Sequence, residues 1–182
     1  MSADADLGTS PDHRTPGEGA EPPGRTAYRA RILDGVGLVA RLVLGGVLIA
    51  AGLPKALDRT GSIQNVLAYE LFDYETARLI GTLLPVLEIG LGVLLVLGLL
   101  TRAAAAAGGL LMVIFIAGII SAWSRGLAID CGCFGTGGPV SPEETTYLLD
   151  IVRDIAFLGL AAWLVVRPRT LIALDTLIPK GR

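Results

Sequence analysis

The chain contains two cysteines, and their spacing is its most specific chemical feature. Cys131 and Cys133 flank Gly132 in a short run between two long apolar stretches. An extended backbone would place their α-carbons near or beyond the limit of about 7 Å for a disulfide, so a bridge requires a bend at Gly132. A ring this tight is strained, and strained disulfides are the readily reduced ones. We therefore predict a redox-active dithiol.

Other roles for this cysteine pair stay open. A structural disulfide is disfavoured, because closing so short a loop constrains the unfolded chain very little. The two thiolates could instead hold Cu(I), or share a zinc ion with a partner. Asp130 disfavours a thiolate at Cys131, whereas Arg125 favours one if the loop folds back. With a single dithiol pair, a redox role requires direct exchange with a partner protein or a small oxidant.

Three charged residues lie in or at the ends of long apolar stretches. Glu88 is deep inside one stretch, whereas Arg41 and Lys55 both belong to another. Charges inside a membrane are costly and usually face a partner in the protein interior, so we predict that Glu88 pairs with Arg41 or Lys55. The alternative for the two basic side chains is that they snorkel to the membrane surfaces. In function, Glu88 would be a proton relay or a polar group of a quinone site. The sequence alone establishes no cofactor, and quinone is one candidate.

A second charged group comes close after the cysteines. Asp150, Arg153 and Asp154 have the spacing of neighbours on one helix face. They form either a solvated first turn of a helix or a supporting patch in which Arg153 faces the cysteine loop. The only histidine, His13, lies in a polar segment, so we predict no histidine-based metal or haem site.

The elements that must position these residues are predicted membrane helices. Four apolar runs approach the length of about 20 residues that crosses a bilayer, namely residues 36–56, 79–100, 103–123 and 148–166. Residues 62–72 are too short to cross, and their apolar residues at 63, 66, 67 and 71 predict a helix that lies at the membrane interface or caps the bundle. A capping pattern from Ser141 to Glu144 predicts that the last helix begins near Pro142.

Composition agrees with a protein that is almost entirely embedded in a membrane. Hydrophobic residues make up 52% of the chain and charged residues 18%, which leaves little for a soluble core. The net charge of −2 gives no sign of a nucleic-acid partner. Residues 1–26 are too polar to fold and do not form a signal peptide. We predict a disordered tail over 1–34, a helical membrane domain over 35–167 and a second tail over 168–182.

The distribution of basic residues predicts the orientation in the membrane. Cytoplasmic segments carry an excess of lysine and arginine. The richer side collects Arg25, Arg29, Arg31, Arg102, Arg167, Arg169, Lys180 and Arg182, and the other side collects Lys55, Arg59, Arg78, Arg125 and Arg153. Both termini are therefore expected in the cytoplasm, with the cysteine loop outside, where disulfides persist.

These residues together resemble the methylamine utilisation protein MauE family, within the wider DoxX-like membrane proteins. The matching stretches are Ala40-Arg41-Leu42 with Gly52 and Lys55, Leu84-Pro85-Val86-Leu87-Glu88 with Gly90 and Gly92, Arg125-Gly126-Leu127, Asp130-Cys131-Gly132-Cys133-Phe134-Gly135, and Arg153-Asp154. The resemblance covers roughly residues 35–167 and is most specific in the cysteine run ahead of the last span.

The resemblance implies an all-α, polytopic membrane four-helix bundle with an extracytoplasmic Cys-Gly-Cys loop. It also implies a role in the maturation, processing or export of a disulfide-rich redox protein, such as the small subunit of methylamine dehydrogenase. We expect an inner-membrane protein that supports thiol–disulfide chemistry for an extracytoplasmic thioredoxin-like or disulfide-containing partner, as a component of an oxidoreductase system. The alternatives are a scaffold that only docks such a partner, or a small transporter or metal-handling protein built around Glu88 and Arg41.

Overall fold

The computed structural model describes residues 23–132 and 137–168, and most of them are helical. The helices of this part are α1 (Pro23–Leu57), α2 (Arg59–Ala68), α3 (Tyr74–Leu97), α4 (Thr101–Ser124) and α5 (Tyr147–Val166). Between α4 and α5 the strands β1 (Ile129–Asp130) and β2 (Gly138–Pro139) pair in antiparallel fashion, and a 3₁₀ turn follows at Pro142–Glu144. The prediction of an all-α fold is confirmed, since each of these strands has only two residues.

Three of the described helices are long and apolar enough to cross a membrane: Tyr28–Leu57 within α1, and the whole of α3 and α4. Helix α5 has a similar length but carries three charged side chains, so the fourth predicted span stays a prediction. Large apolar side chains are exposed along all these helices, for example Val39, Val86, Leu110 and Leu149. An apolar surface of this extent is typical of a protein that faces lipid.

Helices α1 and α3 pack closely in antiparallel fashion because small residues line their contact. A Cβ atom added to Gly45 would lie 2.9 Å from the Gly92 carbonyl oxygen, and one added to Gly92 would lie 2.7 Å from the Gly45 carbonyl oxygen. Neither position has room for a larger residue, as in other tightly packed membrane helices. This approach brings the end of α1 beside the middle of α3, where Glu88 lies.

One apolar core joins the four long helices. Its buried members from α1, α3, α4 and α5 include Leu44, Leu48, Leu95, Ala105, Met112, Ala161 and Leu164. A second apolar cluster lies between α4, β1 and the start of α5, with Ile119, Ala122, Ile129 and Tyr147 buried and Cys131 packed against them. The cysteine loop is therefore seated on the helices.

A hydrogen bond at a helical proline fixes the short helix α2 against α3. Pro85 lies inside α3 and has no N–H group, so the carbonyl of Gly81 loses its helical donor. The Ser62 hydroxyl donates to that carbonyl oxygen at 2.7 Å. The bond satisfies a backbone group that would otherwise be buried without a partner.

Asp residues begin both α2 and α3. The Asp58 carboxylate accepts the backbone N–H of Gly61 at 2.9 Å, and the Asp73 carboxylate accepts that of Glu75 at 3.2 Å. The hydroxyl of Thr76 also donates to Asp73 and holds the pKa of this exposed carboxyl below its usual value. These caps fix where the chain turns between α1, α2 and α3.

The observed helix boundaries differ from the predicted ones in two places. Helix α1 begins at Pro23, so residues 23–34 are helical instead of belonging to a disordered tail. Proline suits the first helical position, and no further proline follows before the apolar span begins. The pattern at 141–144 starts only a 3₁₀ turn, in which the Thr145 hydroxyl donates to the Pro142 carbonyl at 2.9 Å, and α5 begins later, at Tyr147. Residues 1–22 and 169–182 lie outside the described residues.

The short helix α2 is oriented differently from the prediction. Its inward-facing residues are the polar Ser62 and Asn65, whereas Ile63, Val66 and Leu67 on the predicted apolar face are only half-buried. The hydrogen bond at Gly81 explains the rotation of Ser62 toward α3. Hydropathy alone could not predict that Ser62 faces α3, because the group that requires a hydrogen-bond donor is the Gly81 carbonyl on another helix.

Candidate functional site

Lys55 and Glu88 form a buried ion pair between α1 and α3. The Lys55 ammonium lies 2.8 Å from Oε1 and 3.1 Å from Oε2 of Glu88. Lys55 is 6% exposed and Glu88 is 0% exposed, so the protein encloses both charges. The ammonium also lies 5.4 Å from the centre of the Phe115 ring, a cation–π distance. Of the two partners predicted for Glu88, Lys55 is the one that makes the contact.

Arg41 lies on the same face of α1 as Lys55 but far along the helix. The two are separated by about 21 Å at 1.5 Å per residue. Arg41 is only 2% exposed. Snorkelling to the membrane surfaces is therefore the wrong interpretation for both basic residues, because the protein itself covers their side chains.

Asp150, Arg153 and Asp154 form a second charged group at the start of α5. Nη1 of Arg153 lies 2.8 Å from Oδ1 of Asp150, and Nη2 lies 3.1 Å from Oδ1 of Asp154. Asp150 is 5% exposed and Asp154 is 2% exposed. The solvated-turn interpretation is therefore wrong. The two carboxylates face inward and hold the guanidinium in place.

Arg153 also reaches the cysteine loop. Its Nη2 atom lies 3.8 Å from the sulfur of Cys131, which is half-buried beneath the hairpin. A guanidinium at this distance stabilises negative charge on the sulfur. Arg125 does not have the role proposed for it, because its side chain donates to the carbonyls of Tyr69 and Ser121.

Two tyrosines fix the backbone around Cys131. The Tyr69 hydroxyl, just beyond α2, donates to the Cys131 carbonyl at 3.0 Å. The Tyr147 hydroxyl donates to the Leu127 carbonyl and accepts the N–H of Ile129 at 3.0 Å. The loop is thus bonded to the end of α2 and to the first residue of α5.

The bend predicted at Gly132 is present. Gly132 has a φ of 64°, a left-handed conformation that glycine adopts at low cost. Its backbone N–H points to Oδ1 of Asp130 at 3.4 Å. Asn65 packs against it, since a Cβ atom at Gly132 would lie 3.0 Å from the Asn65 side-chain nitrogen. Cys133 lies outside the described residues, and so its pairing with Cys131 stays a prediction.

A cavity of about 570 Å³ connects the two parts of the site. Lys55 and Asn65 line it, together with Cys131 and Gly132 of the cysteine loop. Most of the remaining lining is apolar: Val66, Leu71, Phe72, Ile80, Leu84, Leu111, Ile114, Phe115 and Ala117. Its volume lies within the range of small-molecule pockets, about 300–1,000 Å³.

A much smaller void lies deeper in the protein, between Glu88 and Asp154. It measures about 10 Å³, and Leu48, Met112 and Phe157 also line it. Oδ2 of Asp154 is buried and has no hydrogen-bond partner among the described residues. A void of this size admits about one water molecule, which would satisfy that oxygen and link the two acidic side chains.

Sequence reasoning missed several residues that build the site. Tyr69, Tyr147, Ser62 and Asn65 carry no motif, and their hydrogen bonds run to backbone groups or neighbours far away in the chain. For Ser62 and Asn65 the sequence did offer a signal. They are polar, lie three residues apart and therefore share one face of the short helix α2. Within residues 23–132 and 137–168, no group of three or more His, Cys, Asp or Glu residues is placed to hold a metal ion.

Comparison with known proteins gives one family match. The model of the family described as methylamine utilisation protein MauE matches residues 33–167, which include every element from α1 to α5. Neither the curated proteins nor the solved structures give a significant match to this chain.

Proposed function

The chain belongs to the MauE family of membrane proteins related to methylamine utilisation, and from this premise we propose that it supports thiol–disulfide chemistry outside the cytoplasm. Cys131 and Cys133 form the redox pair. The substrate is a thioredoxin-like protein, or a disulfide-containing redox protein during its maturation. Methylamine metabolism is the pathway that the family description suggests for that substrate.

The proposal includes α5 as the fourth membrane span, which makes the domain a four-helix bundle. Its charged residues Asp150 and Asp154 are buried, whereas the apolar side chains of Leu148, Val152 and Ile155 are more than half exposed. This inside-out pattern suits a helix whose outer face meets lipid and whose polar groups face the bundle. Packing of α5 against both α4 and α1 supports the same arrangement.

The cysteine hairpin is assigned to the outer side of the cell membrane. The excess of basic residues near the termini and at the link between α3 and α4 favours the cytoplasm for those segments. The opposite side then carries α2, the hairpin and the beginning of α5. An oxidising compartment is where a labile dithiol exchanges with secreted partners.

The observation that carries the proposal is the contact between Arg153 and Cys131. Nη2 of Arg153 lies 3.8 Å from the Cys131 sulfur, and two buried carboxylates fix the guanidinium. Thiol–disulfide exchange places negative charge on the attacking and leaving sulfurs. Arg153 would therefore stabilise Cys131 as the leaving group when the pair is attacked.

The exchange balances as a two-electron transfer. A thiolate of the partner attacks Cys133, the bond between Cys131 and Cys133 breaks, and Cys131 leaves as the thiolate beside Arg153. The second thiol of the partner then attacks the mixed disulfide and releases Cys133. The partner gains a disulfide, the pair becomes a dithiol, and the two protons of the partner end on the two cysteines or in solvent. The half-buried position of Cys131 supports Cys133 as the residue that the partner's thiolate attacks.

Cysteine substitution in whole cells tests the proposal. Because the exchange is reversible, the free thiolate of Cys133 in Cys131→Ser should attack the disulfide of the oxidised partner and form a mixed disulfide, which accumulates since Cys131 is not there to complete the reverse reaction. A reducible higher band on non-reducing gels, identified by mass spectrometry, would show it. Cys133→Ser is the matched control and should give far less adduct, while both variants insert normally because a three-residue ring adds little stability.

The alternatives predict other outcomes. Full maturation of the partner with both variants and without any adduct would favour a docking scaffold over a redox component. Joint loss of function and of a bound metal in both variants would favour metal handling. Dependence on Glu88 and Arg41 but not on the cysteines would favour a transporter.

A further inference from the structure

The cavity of about 570 Å³ beside Cys131 has no role in the exchange with a protein partner. We propose that it binds a membrane quinone, which reoxidises the dithiol. This inference rests on the proposed thiol–disulfide function and adds the oxidant that the single dithiol pair requires.

The lining of the cavity indicates an apolar ligand with a polar end. Leu84, Leu111, Ile114 and Phe115 come from the two membrane helices α3 and α4, so most of the wall is hydrocarbon. Burying a charged ligand against such a wall would cost several kcal/mol or more. A neutral molecule that already resides in the bilayer meets no such penalty.

The cavity also has polar lining groups that suit a ligand with hydrogen-bond acceptors. An ammonium has three N–H groups, and Lys55 directs its contacts with Glu88 to two carboxylate oxygens. Asn65, from α2, is a second polar residue of the lining and is buried. The pair of Lys55 and Glu88 carries no net charge, so the lining beside Lys55 favours a neutral carbonyl group over an anion.

The position of the cavity matches the chemistry. Cys131 lines the same cavity as Lys55 and Asn65. A quinone is neutral, has two carbonyl acceptors on a flat ring with an apolar tail, and accepts two electrons.

The proposed step balances with the quinone as the only co-reactant. The two S–H bonds of Cys131 and Cys133 break and one S–S bond forms between the sulfurs. Two electrons pass to the quinone, and two protons end on its oxygens as it becomes the quinol. The direction of the overall reaction is then oxidation of the protein partner, with electrons passing from the partner to the dithiol and on to the quinone.

The test uses the full-length protein in lipid nanodiscs and decyl-ubiquinone as the probe. Dithiol-reduced protein should reduce the quinone, followed by its ultraviolet absorbance, with loss of two thiols per quinone consumed. Ile114→Trp places a large ring in the cavity, and Val113→Trp places the same ring on the exposed surface of α4 outside the lining. We expect Ile114→Trp to weaken quinone binding at least tenfold and to slow thiol loss equally, with Val113→Trp near wild type.

The cysteine variants separate this inference from the proposed function. Cys131→Ser and Cys133→Ser should bind decyl-ubiquinone in equilibrium dialysis but should not reduce it. Mixed disulfides with the partner but no quinone reduction in the wild type would overturn the quinone inference and leave the proposed function standing. Equal effects of the two tryptophan variants, or a tightly held phospholipid that decyl-ubiquinone does not displace, would also overturn it. Absence of both adducts and quinone reduction would overturn the proposed function itself.

Discussion

Removal of one partner of the buried ion pair should destabilise the protein strongly. Lys55→Met leaves the Glu88 carboxylate enclosed without its counter-charge, and Glu88→Leu leaves the ammonium in the same situation. Breaking a buried pair in this way costs about 3–5 kcal/mol, because the remaining charge has lost its solvent and its partner. At about 1.4 kcal/mol per factor of ten, the unfolding equilibrium should shift roughly 100-fold or more.

The double variant gives the sharper expectation. Lys55→Met combined with Glu88→Leu replaces two charges by apolar side chains of similar size, a change that is often neutral or stabilising. The loss in the double variant should therefore be far smaller than the sum of the two single losses. The resulting coupling between Lys55 and Glu88 should amount to several kcal/mol, well above the range of about 0.5 kcal/mol within which independent sites add.

Reversible unfolding in mixed micelles, followed by far-ultraviolet circular dichroism, measures these energies. The exposed pair of Glu75 and Arg78 is the matched control, because it has a similar contact distance of 3.2 Å on the same helix α3. Glu75→Gln should cost less than about 1 kcal/mol, as surface pairs do. If Lys55→Met and Glu88→Leu cost no more than this control, or if the cycle shows no coupling, the pair does not hold α1 to α3 and the argument fails.

Three further predictions concern the loop and the helix that supports it. Arg153→Met should slow exchange of the dithiol with its partner about tenfold or more, and Arg153→Lys should recover part of it, as measured by quenched thiol trapping; equal rates in Arg153→Met and wild type would contradict the role of the guanidinium. Tyr147→Phe removes the hydroxyl that bonds to Leu127 and Ile129 and should lower the stability of the hairpin by about 1–3 kcal/mol. Relative to wild type, backbone hydrogen exchange should accelerate more in the hairpin than in α3. Ser62→Ala removes the donor to the Gly81 carbonyl and should cost about 1–3 kcal/mol, whereas Ser124→Ala, on the exposed end of α4, should change stability little.

The arrangement of charges suggests why so small a membrane protein keeps so many of them. Lys55 lines the large cavity, its partner Glu88 lines the small void, and Asp154 shares that void with Glu88. Arg153 completes the series at the sulfur of Cys131. These groups come from α1, α3 and α5, so the charged side chains connect three helices.

Much of the membrane architecture was predictable from the sequence because a bilayer imposes one-dimensional rules. A helix must be about 20 apolar residues long to cross, so α3 and α4 could be located from hydropathy alone. The depth of Glu88 followed from its position inside such a run, and the expense of an isolated charge there required a basic partner. The bend at Gly132 was also predictable. A disulfide between Cys131 and Cys133 requires the chain to bend at the residue between them, and glycine does so at low steric cost.

The choice of partners could not be derived in this way, since it depends on how helices rotate and approach one another. Arg41 and Lys55 share a helix face, and only the antiparallel contact along Gly45 and Gly92 brings Lys55 to the level of Glu88. Arg153 and Arg125 were both candidates for the sulfur of Cys131. The hairpin lies over the first turns of α5, and that contact selects Arg153.

The sequence by itself determined the apolar helices, the intramembrane charges and the bend in the cysteine loop, because each follows from local composition and from the cost of placing polar groups in lipid. Only the tertiary structure decided that Ser62 and Asn65 face inward, that Tyr69 and Tyr147 hold the loop, and that a cavity joins Lys55 to Cys131. The physical reason is that these features satisfy carbonyls and fill space between helices distant in sequence, and such demands exist only once the helices have packed.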